Sequence, residues 1–344
     1  MALLGMMDLT RRYQKLAQKK DLLIRLNKMI PWQEFCPLLN QIRQQSRKSN
    51  AGRTPFDAIL MFKLLILQKL YNISDEELEY QVNDRLSFMQ FLGLSLTDAV
   101  PDATTVWLFR QQLTDAGVVE ELFAQFESYL QGYGYQAKGG QILDATMVPV
   151  PKQHISKEDK EQLAKGEIPQ NWQENPHCLS QRDTDARWTK KNNVSHFGYK
   201  DHISVDVEYG FVRAYSVTDA AVHDSQALPD ILDEDNEGDE VWADSAYRSA
   251  LIEWLLAFLN WNSQIHEKGY RNHPLTEQQK EKNREKSKTR AKVEHVFGVW
   301  INEMGGKLLR SIGIERARTN LGLRNLAYNL KRYVYLETRA AKAG

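Results

Sequence analysis

Apolar residues in the first third of the chain recur at helical spacing. Ile59, Leu60, Phe62, Leu64, Leu65 and Leu67 make one segment apolar nearly all round, which predicts a buried helix. Thr54-Pro55 reads as its opening, with proline in the first turn, where a missing N–H costs least. Ser74 and Glu77 form the pattern of a capping box. The helix that follows continues through Leu78, Val82, Leu86, Phe88, Met89 and Phe91 to a stop at Gly93. Asp102 after Pro101 caps a further helix carrying Val106, Trp107, Phe109 and Arg110. Residues 8–48 are polar with scattered apolar positions and read as one or two surface helices or an arm. Together these predict an all-α N-terminal domain over residues 1–137. Short helices joined by tight turns suit helix-turn-helix DNA binding or dimerisation, and fold alone does not choose between them.

The period changes after Gly139-Gly140. Ile142, Asp144 and Thr146 alternate with Leu143, Ala145 and Met147, which predicts a strand ended by Pro149 and Pro151. Residues 152–193 are rich in Lys, Glu, Asp, Gln and Asn and lack apolar periodicity. They read as a polar surface insertion, partly disordered or ordered by a partner. His196–Val207 and Phe211–Val217 predict a hairpin turning at Glu208-Tyr-Gly210. A short helix holds Leu228 and Ile231. Val241, Trp242 and Ala243 form a buried strand, a helix follows from Leu251, and Gln264-Ile265-His266 reads as a last short strand. Helices over Thr289–Asn302 and through Leu323, Leu326, Leu330 and Val334 close the pattern. Strands alternating with helices predict an α/β domain over residues 138–337.

Composition changes this picture in one respect. The 344 residues sum to zero net charge, but the charge is segregated: net +1 over residues 1–140, −10 over 141–240 and +9 over 241–344. Residues 268–292 alone hold nine basic and three acidic groups. Such asymmetry points to a polyanion partner or internal electrostatic pairing. Two cysteines, Cys36 and Cys178, make no disulfide framework. The start of the chain does not read as a secretory signal, and the apolar run Ala58–Leu67 is too short to span a bilayer. A soluble cytoplasmic protein is expected.

Three carboxylates stand out by position. Asp144 lies on the first strand, Asp244 ends a buried strand, and Glu294 sits on a late helix. Asp244 has an ordinary alternative as the N-cap of the following helix. Otherwise it faces the crevice where open α/β sheets place ligands. Hard oxygen ligands of this kind suit Mg²⁺ or Mn²⁺, and phosphodiester chemistry uses pairs of such ions about 3.5–4 Å apart. Arg290, one turn before Glu294, shares its helix face and offers a phosphate grip. Gly298, one turn after, leaves room for a backbone to approach.

The sequence resembles the DDE transposases of bacterial insertion sequences, specifically the insertion-sequence-five family. The resemblance is carried by Leu143-Asp144-Ala-Thr, Asp185-Ala-Arg-Trp-Thr-Lys190, His196-Phe-Gly-Tyr-Lys200-Asp-His202, Val222-His-Asp224-Ser, Ala243-Asp244-Ser-Ala-Tyr-Arg248 and Arg290-Ala-Lys-Val-Glu294-His-Val-Phe-Gly298. Ile73–Leu78, Asp84–Phe88 and Pro101–Thr105 are similar to that family's helical domain. It implies an RNase H-like mixed sheet flanked by helices and a catalytic, metal-binding triad of Asp144, Asp244 and Glu294. It further implies strand cleavage at transposon ends and strand transfer into target DNA. Related families add a Tyr and a Lys around the Arg–Glu pair, where this chain has Ser287 and Ile301. The phosphate grip is therefore expected from Lys288 or Lys292.

The implied partner is double-stranded DNA, as terminal inverted repeats and target, bound by a homodimer. Candidate contacts are Arg290, Lys200, Lys190, Lys191, Arg248, Lys288, Lys292 and Arg110. His177-Cys178 lacks a second ligand pair at zinc spacing, and no phosphate-loop motif indicates a nucleotide cofactor. Tyr247 beside Arg248 would suit a tyrosine recombinase, but that leaves the three carboxylates unexplained. The alternative from another class is a DNA-binding regulator whose RNase H-like core is unused.

Overall fold

The computed structural model describes residues 10–16, 18, 21–42, 55–153, 155–191, 193–270 and 273–343. Its Cα positions form two compact units, residues 1–126 with 323–344, and residues 127–322. The sequence placed its division at 137/138, at the glycine break, and carried the second domain on to 337.

The first unit is helical: α1 (Leu22–Met29), α2 (Cys36–Gln41), α3 (Ala58–Tyr71), α4 (Asp75–Asp84), α5 (Leu86–Leu92), α6 (Ala103–Ala116) and the start of α7 (Val119–Gly132). Side-chain caps set the starts. Asp57 accepts from the Leu60 N–H, Ser74 from Glu77 and Asp102 from Thr105. The first of these corrects the sequence reading: α3 starts at Ala58 behind Asp57, not at Pro55, and Thr54 lies outside the described residues. Glu77 accepts from the Gln81 side chain at 2.6 Å. The single helix expected from Ser74 to Gly93 is two, because Arg85 is extended at φ −104° and ψ 112°. Its guanidinium instead lies over the Phe88 and Tyr71 rings. Apolar α3 is buried as expected, with Phe62 meeting Trp32 and Phe35, and Trp32 meeting Phe91.

The second unit is built on a mixed sheet. β1 (Gln141–Pro149) is followed by α8 (Lys157–Ala164), α9 (Gln170–Gln173) and α10 (Pro176–Ser180), then by β2 (Arg187–Lys191), β3 (Val194–Asp206) and β4 (Val212–Asp219). After α11 (Leu228–Ile231) come β5 (Glu240–Trp242), α12 (Ala250–Phe258), β6 (Asn262–Ser263), α13 (Glu277–Asn302) and α14 (Ile314–Ala343). β1 is central. It pairs antiparallel with β3, which carries β2 and β4, and parallel with β5, which pairs parallel with β6. Helices flank this sheet, so the mixed α/β sheet flanked by helices that the sequence led us to expect is present.

Local chemistry explains the key connections. Gly140 enters β1 at φ +82°, and a Cβ there would lie 2.4 Å from the Glu240 carbonyl oxygen, so the β1–β5 approach requires glycine. The β3–β4 turn is tied by the buried carboxylate of Asp206. It accepts from the Tyr209 N–H at 2.6 Å, the Phe211 N–H at 2.9 Å and Arg213 Nε at 3.0 Å. Arg213 also reaches Glu127 and the Tyr135 carbonyl.

Two sequence expectations are corrected here. The polar insertion is not a loose segment: Ile155, Leu163, Trp172 and Ala186 are buried with Val148, Phe197, Tyr199 and Leu321. Few apolar residues suffice because these four face the same core. The basic stretch before Thr289 is helical from Glu277 onward, where α13 starts. Thr276 and Gln279 cap each other reciprocally, and the i,i+3 pairs Glu277–Lys280, Glu281–Arg284 and Glu285–Lys288 run along it. Among the described residues no helix is long and apolar enough to cross a membrane.

Candidate active site

Parallel register brings two of the three carboxylates to one level. Gln141 pairs with Val241 and Ile142 with Trp242. Two residues further along each chain stand Asp144, still on β1, and Asp244, just past the end of β5, close enough that the Asp244 charge acts on Asp144. Asp244 is not the cap of α12, since Ser249 accepts from the Ile252 N–H in that role. Asp244 Oδ1 instead accepts from the Ala246 N–H at 2.7 Å, which fixes the turn leaving β5.

The third carboxylate is linked through an arginine. Helix α13 packs on β1 and β5 through Val293, Val296, Phe297 and Trp300. That face turns Arg290 toward the strand ends, where Nη1 donates to Asp144 Oδ2 at 3.0 Å and Nη2 lies 3.9 Å from Glu294 Oε1. The expectation that Arg290 and Glu294 share a helix face is met. Glu294 itself points outward, with 61% of its side chain exposed.

Burial dominates the electrostatics. Asp144 is 9% exposed, and desolvation raises its pKa from 3.8 to about 6. Arg290 and the Ala145 N–H pull it down, while Asp244 and Glu294 push it up. Mutual repulsion between these carboxylates means they share one field.

Two further residues join this site, and the sequence did not single them out. His266 continues the β6 ladder, donating its N–H to the Ala243 carbonyl at 3.1 Å, beside Asp244. Its Nε2 lies 3.3 Å from Ser287 Oγ on α13, and burial, with Arg290, lowers its pKa, so the ring is neutral at physiological pH. Lys307 follows α13, reaches Thr146 Oγ1 two residues beyond Asp144, and lies over the Phe297 ring at 5.0 Å. The only sequence sign of His266 was its place at the end of the last strand. Lys307 gave none.

Other candidates are engaged elsewhere. Lys200 donates to Asp224 at 2.7 Å and to the Val222 carbonyl at 2.6 Å, closing the loop after β4. Arg248 meets Glu267 at 3.1 Å and Glu253 at 3.6 Å. Arg110 forms a two-pronged pair with Asp75 inside the helical unit, so its charge is neutralised there. Lys292 donates to the Val207 carbonyl at 3.1 Å, and Lys288 pairs with Glu285 on the surface. Lys190 and Lys191 are exposed on β2.

His202 is buried, with Nε2 2.9 Å from Thr218 Oγ1, and burial pushes its pKa down to about 4. His223 closes an exposed turn onto Ser225. Tyr247 is fully buried in the core with Leu143 and Leu228, and burial raises its pKa well above 10. A phenol so placed cannot reach a DNA phosphate, which removes the tyrosine-recombinase reading. Among the described residues no three His, Cys, Asp or Glu side chains are drawn tightly enough to hold one ion as they stand. Arg290 lies between Asp144 and Glu294. In kind, however, the donors suit a hard divalent cation, and the exposed Glu294 is free to rotate.

Comparison with known proteins places the chain in a family. A family model described as a transposase DDE domain matches residues 135–330. A second, described as a transposase domain, matches residues 11–112. Among solved structures, a cryo-electron microscopy structure of a piggyBac transposase synaptic complex with hairpin DNA is similar at a TM-score of 0.47 and 12% identity. The match covers 94% of this chain and 76% of that one.

Proposed function

The chain belongs to the transposase DDE domain family, a family of DDE-type polynucleotidyl transferases acting in DNA transposition, and on that premise we propose that Asp144, Asp244 and Glu294 are its catalytic triad. The observation that carries this reading is that Asp144 and Asp244 each stand two residues beyond the Ile142–Trp242 register pair and feel each other's charge, with Arg290 joining Asp144 to Glu294. The triad would hold Mg²⁺ or Mn²⁺, which supplies Lewis-acid charge at the scissile phosphate and promotes ionisation of the attacking group.

The chain's own residues divide the remaining work. Arg290 grips a non-bridging phosphate oxygen from the helix side. Neutral His266 orients water beside Asp244 by hydrogen bonding. Lys307 adds positive charge on the strand face that carries Asp144, in the region where Ile301 offers none. Exposed Lys190, Lys191, Lys288 and Lys292 track the DNA backbone without reading its sequence. Lys200, Arg248 and Arg110 act through their internal ion pairs, shaping the protein rather than touching DNA.

In the reaction, water attacks at the transposon end and frees a 3′-hydroxyl, which then attacks target DNA. The ligand is double-stranded DNA, as terminal repeats and target, with a homodimer holding two ends in the cytoplasm. The helical unit supplies end recognition. The motif strings around Asp144, Asp244 and Glu294 support membership of the insertion-sequence-five group. A nicking assay on terminal-repeat DNA with Mg²⁺ tests the proposal. Binding without any nicking would favour the regulator with an unused core.

A further inference from the structure

Helix α12 is apolar on both sides. Ile252 and Leu256 are buried in the core with Leu143, Val241 and Tyr247. Yet Leu251 is 73% exposed, Trp254 61% and Phe258 68%, and the Trp254 and Phe258 rings stack at 5.4 Å. Exposed Ala250 and Ala257 complete this outer face. The one charged residue of the helix, Glu253, is turned aside to Arg248 and to the Ser263 hydroxyl at 3.1 Å. A surface helix normally shows water a polar face, and one that is apolar all round is covered by something.

The three large side chains present on the order of 400 Å² of apolar surface, the size of patch that marks an interaction site. It is about half of the ~800 Å² that each partner contributes to a standard interface, so it suits the centre of one.

The order of residues says what covers it. Two copies of α12 packed antiparallel about a two-fold axis at Trp254 set Ala250 opposite Phe258 and Leu251 opposite Ala257 of the second copy. Small thus meets large at both flanking pairs, and the two Trp254 rings meet each other at the axis. This is the self-complementarity that an isologous interface demands. DNA is a poor occupant, because the face holds no cation.

We propose that the outer face of α12 is the two-fold dimer interface of this protein, formed by Ala250, Leu251, Trp254, Ala257 and Phe258 against the same residues of a second copy. The helix follows Asp244 through the short turn 245–249, so the contact ties together the segments that carry one proposed catalytic carboxylate from each copy.

The test uses the full chain without DNA or metal, so its outcome is independent of the catalytic reading. Sedimentation equilibrium of the wild type should show a reversible dimer with a dissociation constant in the micromolar range. The double variant Trp254→Glu/Phe258→Glu should dissociate at least tenfold more readily with an unchanged circular dichroism spectrum. These side chains are exposed, so folding should survive. In a Cys36→Ser/Cys178→Ser background, Trp254→Cys should cross-link to itself through a short bis-maleimide. Ala250→Cys and Phe258→Cys should cross-link more efficiently to each other than either does to itself. A monomeric wild type would overturn the proposal. So would a dimer that survives the double glutamate variant, or a variant that loses DNA affinity without any change in mass.

Discussion

Arg290 Nη1 lies 3.0 Å from Asp144 Oδ2, a contact that spans 146 residues of sequence. It joins the central strand to the helix carrying Glu294, and it offsets part of the cost of burying Asp144. The offset is incomplete, because the Asp144 pKa is still raised to about 6. The unfolded chain ionises Asp144 near 3.8, so between these values the folded state holds the proton more tightly. The contribution of Asp144 to stability therefore falls as pH rises through that window, by about 3 kcal/mol in all. Asp144→Asn removes the charged form. In chelator, its melting temperature relative to wild type should gain more at about pH 7.5 than at about pH 4.5. An equal difference at both pH values would mean that Asp144 carries no such penalty.

Arg213 and Asp206 are both buried, and Asp206 already accepts two backbone N–H groups. Arg213→Ala leaves that carboxylate, and Glu127 beside it, without their cation. Breaking a buried pair from one side costs about 3–5 kcal/mol. Urea denaturation should show a loss of that size. A loss below about 1 kcal/mol, the range of surface pairs, would mean that water reaches the network.

Exposed and committed cations should separate in a salt titration of DNA binding. Replacing Lys190, Lys191, Lys288 and Lys292 with Ala should flatten log K against log salt by about 0.9 for each phosphate no longer neutralised. Arg110→Ala should leave the slope unchanged and lower stability instead, because its guanidinium is held by Asp75. A slope that falls with Arg110→Ala would show that the pair opens to DNA.

The sequence exposed most of the second unit's plan because its signals are local. Strand alternation around Asp144, the apolar run before Asp244 and the Gly210 turn each depend on a few neighbouring residues. What stayed hidden depends on distant ones. Nothing near Lys200 announces Asp224 as its partner, and nothing near Arg110 announces Asp75. The start of α13 was missed because its first turns are polar all round, so periodicity gave no sign, whereas Thr276 and Gln279 did carry the capping pattern. The insertion at 152–193 looked unstructured because its apolar residues are too sparse to show a period, though Leu163 and Trp172 are both buried. His266 and Lys307 join the site only through the sheet edge and the chain after α13.

The central claim is that Asp144, Asp244 and Glu294 act as one centre for phosphodiester chemistry. Groups acting as a unit are strongly non-additive, so one carboxylate is a sufficient probe. The most direct measurement is strand cleavage of terminal-repeat DNA in Mg²⁺ by Asp244→Asn, beside wild type, with end binding measured in parallel. The Asp244 carboxylate accepts from the Ala246 N–H of its own turn, a bond that the asparagine side-chain oxygen can also accept, so the substitution should leave folding intact. Cleavage should disappear while end binding stays near the wild-type level. Cleavage that persists in Asp244→Asn would contradict the assignment.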